Sequence, residues 1–135
     1  MQVELEIVSP AKLLLSRSVD MVVMPGYEGD LAATGGHAPV ITLLRGGVIT
    51  LYEGASPTDR FFVAGGFAEI TPSRCTILAD SAVPVAELSA ESAQADLDMA
   101  ERAWNDVDKM DTAARDAVLD RLQSTREAVR VASAG

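Results

Sequence analysis

All six prolines and nine of the ten glycines of this chain lie at or before Pro84. That asymmetry constrains the fold more than any single motif does. Proline and glycine punctuate strands and turns, and both are poor in helix interiors. A chain that reverses every eight to twelve residues or so and then stops reversing reads as a β domain followed by helices.

The strands come from alternation. Val3-Glu4-Leu5-Glu6-Ile7 alternates apolar and acidic residues, so Val3, Leu5 and Ile7 face a core and the glutamates face water. Ser9-Pro10 stops that run. Further strand-like runs span residues 13–15, 17–24, 31–34, 40–44, 48–52, 60–64, 67–71 and 74–79. Pro25-Gly26, Gly35-Gly36-His37-Ala38-Pro39 and Gly46-Gly47 read as bends, and residues 53–59 as a polar hairpin tip. Gly65-Gly66 inside a strand pattern marks a bulge or a close backbone approach. The fold class that follows is α+β, mainly β. An antiparallel β-sandwich is expected over residues 1–86 and an antiparallel two-helix hairpin over residues 87–135.

The helical part carries its own signals. Ser89 suits an N-cap, with Glu91 in the first turn. Ala93, Leu97, Ala100, Trp104 and Val107 recur at spacings of four and three, which is one helix face. Residues 108–111 break the pattern, and Asp111 or Thr112 can cap a second helix. Ala114, Val118, Leu122, Thr125, Val129 and Ala132 form its stripe. Both stripes are rich in alanine and bury little area. The hairpin is therefore expected to be marginal and mobile unless it docks on something else.

The charges narrow the function. Twenty acidic residues against 11 basic give a net charge of -9, which disfavours nucleic acid and anionic lipid as partners and favours a basic protein. One cysteine, Cys75, excludes an internal disulfide and a cysteine metal cluster, and its strand-like setting reads as a small buried apolar residue. The N-terminus shows no basic start and no apolar signal core, so an intracellular protein is expected. The only histidine, His37, has no partner constellation for catalysis, and the glycines precede no phosphate-binding lysine. Asp98 and Arg102 form an i,i+4 pair on the helix surface, and solvation is the plain reading of the helix charges.

Four stretches in order carry a resemblance. Pro25-Gly26-Tyr27-Glu28-Gly29-Asp30-Leu31 followed by Gly36-His37-Ala38-Pro39 resembles the P-G-x-x-G-x-L-G-x-x-x-G-H-A-P signature of the epsilon subunit family of F-type ATP synthase, called delta in mitochondria. Val63-Ala64-Gly65-Gly66-Phe67-Ala68-Glu69 resembles that family's V-x-G-G-F-x-E pattern. Thr76-Ile77-Leu78-Ala79-Asp80-Ser81-Ala82 resembles its V-T-I-L-A-D-x-A strand, and the two-helix tail agrees in length. Ala32 stands where the family usually has glycine, and Thr34-Gly35 replaces a bulkier pair.

The resemblance implies a non-catalytic central-stalk rotor subunit that couples proton-driven ring rotation to ATP synthesis. It would lie peripherally on the cytoplasmic face of a bacterial inner membrane. Its implied partners are the gamma subunit and the membrane rotor ring, with the alpha and beta subunits of the catalytic head added if the hairpin extends. By the same resemblance, Glu28, Asp30 and His37 lie in the loop that meets the ring. In bacterial relatives the hairpin can inhibit ATP hydrolysis, and some bind ATP through an Ile/Leu-Asp-x-x-Arg-Ala motif. The nearest match here, Leu97-Asp98-Met99-Ala100-Glu101-Arg102-Ala103, has one extra residue, which turns Arg102 by about 100° on a helix. No cofactor is required. The resemblance extends to a regulatory ATP, with Asp98, Arg102 and Arg126 as the residues that would bind it. Apart from the resemblance, the residues also fit an acidic β-sandwich that docks some other protein. A cupin-type enzyme is disfavoured, because that class needs several histidines.

Overall fold

The computed structural model describes residues 2–134. Ten strands come first: β1 (Val3–Val8), β2 (Leu13–Val19), β3 (Met21–Gly26), β4 (Gly29–Thr34), β5 (Val40–Leu44), β6 (Gly47–Glu53), β7 (Ser56–Val63), β8 (Gly66–Ile70), β9 (Arg74–Leu78) and β10 (Val83–Pro84). A short 3-10 turn (Val85–Glu87) leads into helices α1 (Ala90–Asp106) and α2 (Thr112–Ala134). The strands form two layers. One runs β10-β7-β6-β3-β4 and the other β5-β8-β9-β1-β2. Their hydrogen-bonded connection is a single pair, Gly26 opposite Leu44. Among the described residues every pairing is antiparallel except β1 with β9, which is parallel from Glu4 opposite Arg74 to Val8 opposite Leu78.

Three boundaries differ from the pattern in the sequence. Residues 13–24 divide at Asp20, between β2 and β3. Pro25-Gly26 is the end of β3 rather than a turn; the reversal is Tyr27-Glu28, with Gly26 opposite Gly29. Proline is tolerated there because it has no N–H to leave unpaired, while its carbonyl accepts from Arg45 N at 2.9 Å. Gly26 is obligatory for a different reason: a Cβ on it would stand 2.4 Å from the Gly29 carbonyl oxygen. The expected polar tip at residues 53–59 is strand apart from Gly54-Ala55, with a bulge between Leu51 and Tyr52.

Gly65-Gly66 is a close backbone approach, as expected. It carries the chain from β7 in one layer to β8 in the other. Both residues have positive φ, and a Cβ on Gly66 would meet the Leu78 carbonyl oxygen at 2.0 Å.

The inward residues of both layers fill one core. Leu5, Ile7, Met24, Ile49, Leu51, Ile70 and Ile77 are fully buried, and each such side chain contributes about 1.5–3 kcal/mol relative to exposure. Cys75 sits among them, and burial pushes its thiol up to about 12. It is therefore unreactive, as its setting predicts. The layers are also tied by a partly exposed Arg17–Asp59 ion pair from β2 to β7.

The hairpin forms as its pattern predicts. Ser89 caps α1, its hydroxyl accepting from Ser92 N at 3.2 Å. Asp111 rather than Thr112 caps α2, accepting from Ala114 N at 3.1 Å. The turn between them is held by Lys109, which donates to the Trp104 carbonyl and lies 4.6 Å from the centre of the Trp104 ring. At 1.5 Å per residue the helices are about 26 Å and about 35 Å long. The seam between them buries Ala93, Ala100 and Leu122. Among the described residues no helix is long and apolar enough to cross a membrane.

Candidate functional site

The hairpin does dock on the sandwich, and the seat is built from a glycine. Gly46 bends the chain into β6 with no side chain, so Ser124 of α2 closes onto its backbone. A Cβ on Gly46 would lie 2.4 Å from the Ser124 Cβ. The Gln123 amide then pairs with the same residue on both sides. Its Oε1 accepts from Gly46 N at 2.9 Å, and its Nε2 donates to Gly46 O at 2.8 Å. This matches a strand-to-strand pairing, with a side-chain amide in place of the second backbone. Ser124 is 6% exposed, and Val131, about two turns further along the same face of α2, is 5% exposed.

A second contact joins α2 to the turn before β4. Tyr27, exposed in the Tyr27-Glu28 turn, donates its hydroxyl to Asp120 Oδ1 at 2.9 Å. That hydrogen bond, with the Asp120 charge behind it, holds the phenol above its ordinary value. Arg45 organises the same end. It donates to the Gly26 carbonyl at 2.8 Å and pairs with Asp30 at 3.1 Å. It also faces Glu127 of α2. The carboxyl of Glu127 is held below its ordinary value chiefly by the hydrogen bonds from Arg130, with Arg45 adding to the effect.

The sequence-predicted site residues separate into three places. Glu28 and Asp30 flank Gly29 at the Tyr27–Arg45 end, both exposed. His37 is not with them. It follows the Thr34-to-His37 turn at the other end of β4, where its N–H donates to Thr34 O at 3.2 Å and its Nδ1–H to Ala38 O at 2.6 Å. The five steps of β4 put about 17 Å between the two ends. The expectation of one loop holding all three is therefore corrected. Residues 29–34 form a strand, because alternation continues through Asp30 once the turn is set at Tyr27-Glu28.

Asp98, Arg102 and Arg126 are exposed. Asp98 accepts from Gln94 Nε2 at 3.0 Å, and it forms no ion pair with Arg102 among the described residues. The seam between the helices is lined by Ala93, Leu97 and Ala100 instead. Among the described residues no cluster of three metal-ligating side chains occurs. Gln123, Ser124, Tyr27 and Asp120 were not singled out by the sequence pattern. The available signal was Gly46-Gly47, a glycine pair where one turn glycine would suffice.

Residues 2–85 match the family model described as the ATP synthase delta/epsilon chain beta-sandwich domain. The chain is 58% identical to the ATP synthase epsilon chain of Granulibacter bethesdensis over 97% of each chain. It is 49% identical to that of Gluconacetobacter diazotrophicus, covering 98% of this chain and 94% of the relative. Its fold is similar to a chain in the Euglena gracilis mitochondrial ATP synthase OSCP/F1/c-ring structure, with TM-score 0.74 at 23% identity, covering 93% of this chain and 78% of that one. It is also similar to one in the Tetrahymena thermophila central stalk/c-ring structure, with TM-score 0.66 at 14% identity, covering 98% and 97%.

Proposed function

The chain belongs to the ATP synthase delta/epsilon family, as an epsilon-type chain, and from that premise we propose that it is a non-catalytic rotor subunit of the central stalk. In this reading it makes no bond itself. It binds the gamma subunit and the membrane rotor ring, and passes proton-driven rotation to the catalytic head. It works peripherally at the cytoplasmic face of a bacterial inner membrane. The observation that carries the reading is identity of 58% along 97% of both chains, so that the sandwich and the hairpin are shared alike.

The division of labour proposed is a coupling sandwich, residues 1–86, and a regulatory hairpin, residues 87–135, that brakes ATP hydrolysis. The Glu28–Asp30 end of the sandwich is its ring-facing end. Carboxylates there suit a basic loop, and Arg45 keeps Asp30 in place until such a partner arrives. His37, at the far end of β4, belongs to a different contact. A regulatory nucleotide is not part of the proposal, because nothing draws Asp98, Arg102 and Arg126 together.

The test is reconstitution into an ATP synthase depleted of its epsilon subunit. The full chain should restore proton-coupled ATP synthesis and suppress ATP hydrolysis by the membrane-free enzyme. A version ending at Val85 should restore coupling alone. Equal hydrolysis with either version would remove the brake. Failure of both to restore coupling would remove the rotor role.

A further inference from the structure

The turn between β3 and β4 has only two residues, and they serve different neighbours. Tyr27 reaches α2, where its hydroxyl donates to Asp120. Glu28 is exposed and forms no ion pair among the described residues, and Asp30 is exposed two residues further on. The turn is also fastened to the sandwich on its inner side. Tyr27 N donates to Leu43 O at 2.8 Å, and Arg45 N donates to Pro25 O at 2.9 Å. The Arg45 guanidinium adds a bond to the Gly26 carbonyl at 2.8 Å. A turn this short and this tied has little freedom to move at one residue without moving at the other.

The charges around the turn are unevenly matched. Glu28 and Asp30 belong to the turn, and Asp116, Asp120 and Glu127 belong to the facing side of α2. Asp116 pairs with Arg115 and Glu127 with Arg130, both on α2 itself. Asp120 has no ion pair among the described residues and accepts only the Tyr27 hydroxyl. The cation nearest to both groups on the sandwich side is Arg45. It pairs with Asp30 at 3.1 Å, and it lines a 280 Å³ cleft together with Tyr27, Asp120 and Gln123. Its charge also reaches Glu127. One guanidinium thus stands between the carboxylates of two elements, and its commitment to Asp30 leaves less of it for α2.

We propose that a basic loop seated on Glu28 and Asp30 and the hairpin docked on Tyr27 reinforce each other through this turn and Arg45. The inference deepens the function proposed above and rests on it for the identity of the loop, which is the rotor ring's. Two effects act in the same direction. A basic partner offsets the carboxylates of the turn, which otherwise compete with Asp120 for Arg45 and repel it. The partner also fixes the turn that presents the Tyr27 hydroxyl, so the ordering that docking requires is already done. The coupling is reciprocal, because two ligands of one element must shift each other's binding by the same factor. A docked hairpin therefore strengthens the ring contact, and the hairpin is held least firmly when the ring-facing end is bare.

The experiment has two arms. The first reads amide exchange along α2 in the full chain by mass spectrometry. Glu28→Lys puts the partner's charge on the turn without the partner. It should slow α2 exchange about twofold to fivefold at low salt, as an exposed charge pair does, and the gain should vanish at high salt. Arg45→Gln should quicken exchange by about the same factor, and Glu28→Lys added to it should restore the protection, which a merely structural role for Arg45 would not allow. If Arg45→Gln lowers the melting temperature of the sandwich, Glu28→Lys alone decides this arm. The second arm binds the chain, in complex with gamma, to the purified rotor ring in detergent. Gln123→Ala loosens α2 without removing any group of the turn, and it should weaken ring binding about twofold to fivefold. Unchanged or faster α2 exchange in Glu28→Lys at low salt would overturn the coupling, and so would ring binding indifferent to Gln123→Ala. A wild-type complex that does not bind the ring would overturn the ring-facing assignment in the proposed function, and the exchange arm would then decide the coupling by itself.

Discussion

The sandwich and the hairpin are held together in different ways. The sandwich buries branched aliphatic side chains completely, from Leu5 and Ile7 on β1 to Ile70 and Ile77 on β8 and β9. Its stability lies in its interior. The hairpin buries two alanines in α1, and Leu122, Ser124 and Val131 in α2. Two of those three, Ser124 and Val131, do not belong to the stripe that faces α1. Its hold therefore depends on the surface it docks against, which is a glycine backbone, a tyrosine hydroxyl and the ring of Phe62. An element whose stability lies at its docking face can be released without unfolding, whereas one whose stability lies in its core cannot.

Four substitutions test that contrast, from the largest expected effect to the smallest. Ile77→Ala leaves a cavity in the sandwich and should cost about 2–5 kcal/mol of global stability by denaturant unfolding. If it cost less than the hairpin substitutions below, the contrast would be wrong. Gly46→Val drives a branched side chain into Ser124. Amide exchange along α2 should rise to that of a detached helix, while the melting of the sandwich moves little. Loss of both together would show that the two regions unfold as one. Gln123→Ala removes two hydrogen bonds to one residue and should weaken docking by about 1–3 kcal/mol, read from the same exchange protection.

The smallest effect is titration. Tyr27 has a raised value in the folded chain, so its contribution is complete below the ordinary tyrosine range and is lost as pH rises through the raised value. Glu127 has a lowered value, so its contribution is present above the ordinary carboxylate range and fades as pH falls through the lowered one. Docking should therefore loosen at the alkaline extreme; at the acid extreme only the smaller effect of Arg45 on Glu127 bears on it, because Arg130 lies on the same helix. Tyr27→Phe should flatten only the alkaline side, and an unchanged alkaline limb would remove the Tyr27–Asp120 contact from the account.

The legible parts of the fold were those with a period. Alternation marks β1 and β8, short apolar or strand-like runs mark β5, β6 and β9, and the spacing of Ala93, Leu97 and Ala100 marks α1. The division after Pro84 needs only proline and glycine. Pro25 misled because proline inside a strand looks like a turn until its edge is known. The split of Asp30 from His37 was hidden by the glycines around them, since each could have closed a single loop. The docking face of α2 was hidden most completely. Gln123 and Ser124 carry no hydrophobic signal, and their partner is a backbone. What selects them is the missing side chain at Gly46, and a missing side chain has no periodicity. The row of Leu43, Phe67, Leu78, Val8 and Leu13 across the second layer lies between these cases. Each member is visible in the sequence, but their alignment depends on the register of five strands.

The parallel pairing of β1 with β9 has a consequence for synthesis. Glu4 and Arg74 are seventy residues apart in the chain and adjacent in the sheet. The β1–β2 hairpin can close as soon as it leaves the ribosome, but its other edge stays open until β9 emerges, with six strands made in between. Loop closure over that distance is slow relative to local pairing, and an open strand edge invites wrong partners during the wait. The first strand to be made is thus among the last to be secured. Slow translation just before residue 74 should be poorly tolerated, while slow translation after β9 should matter little.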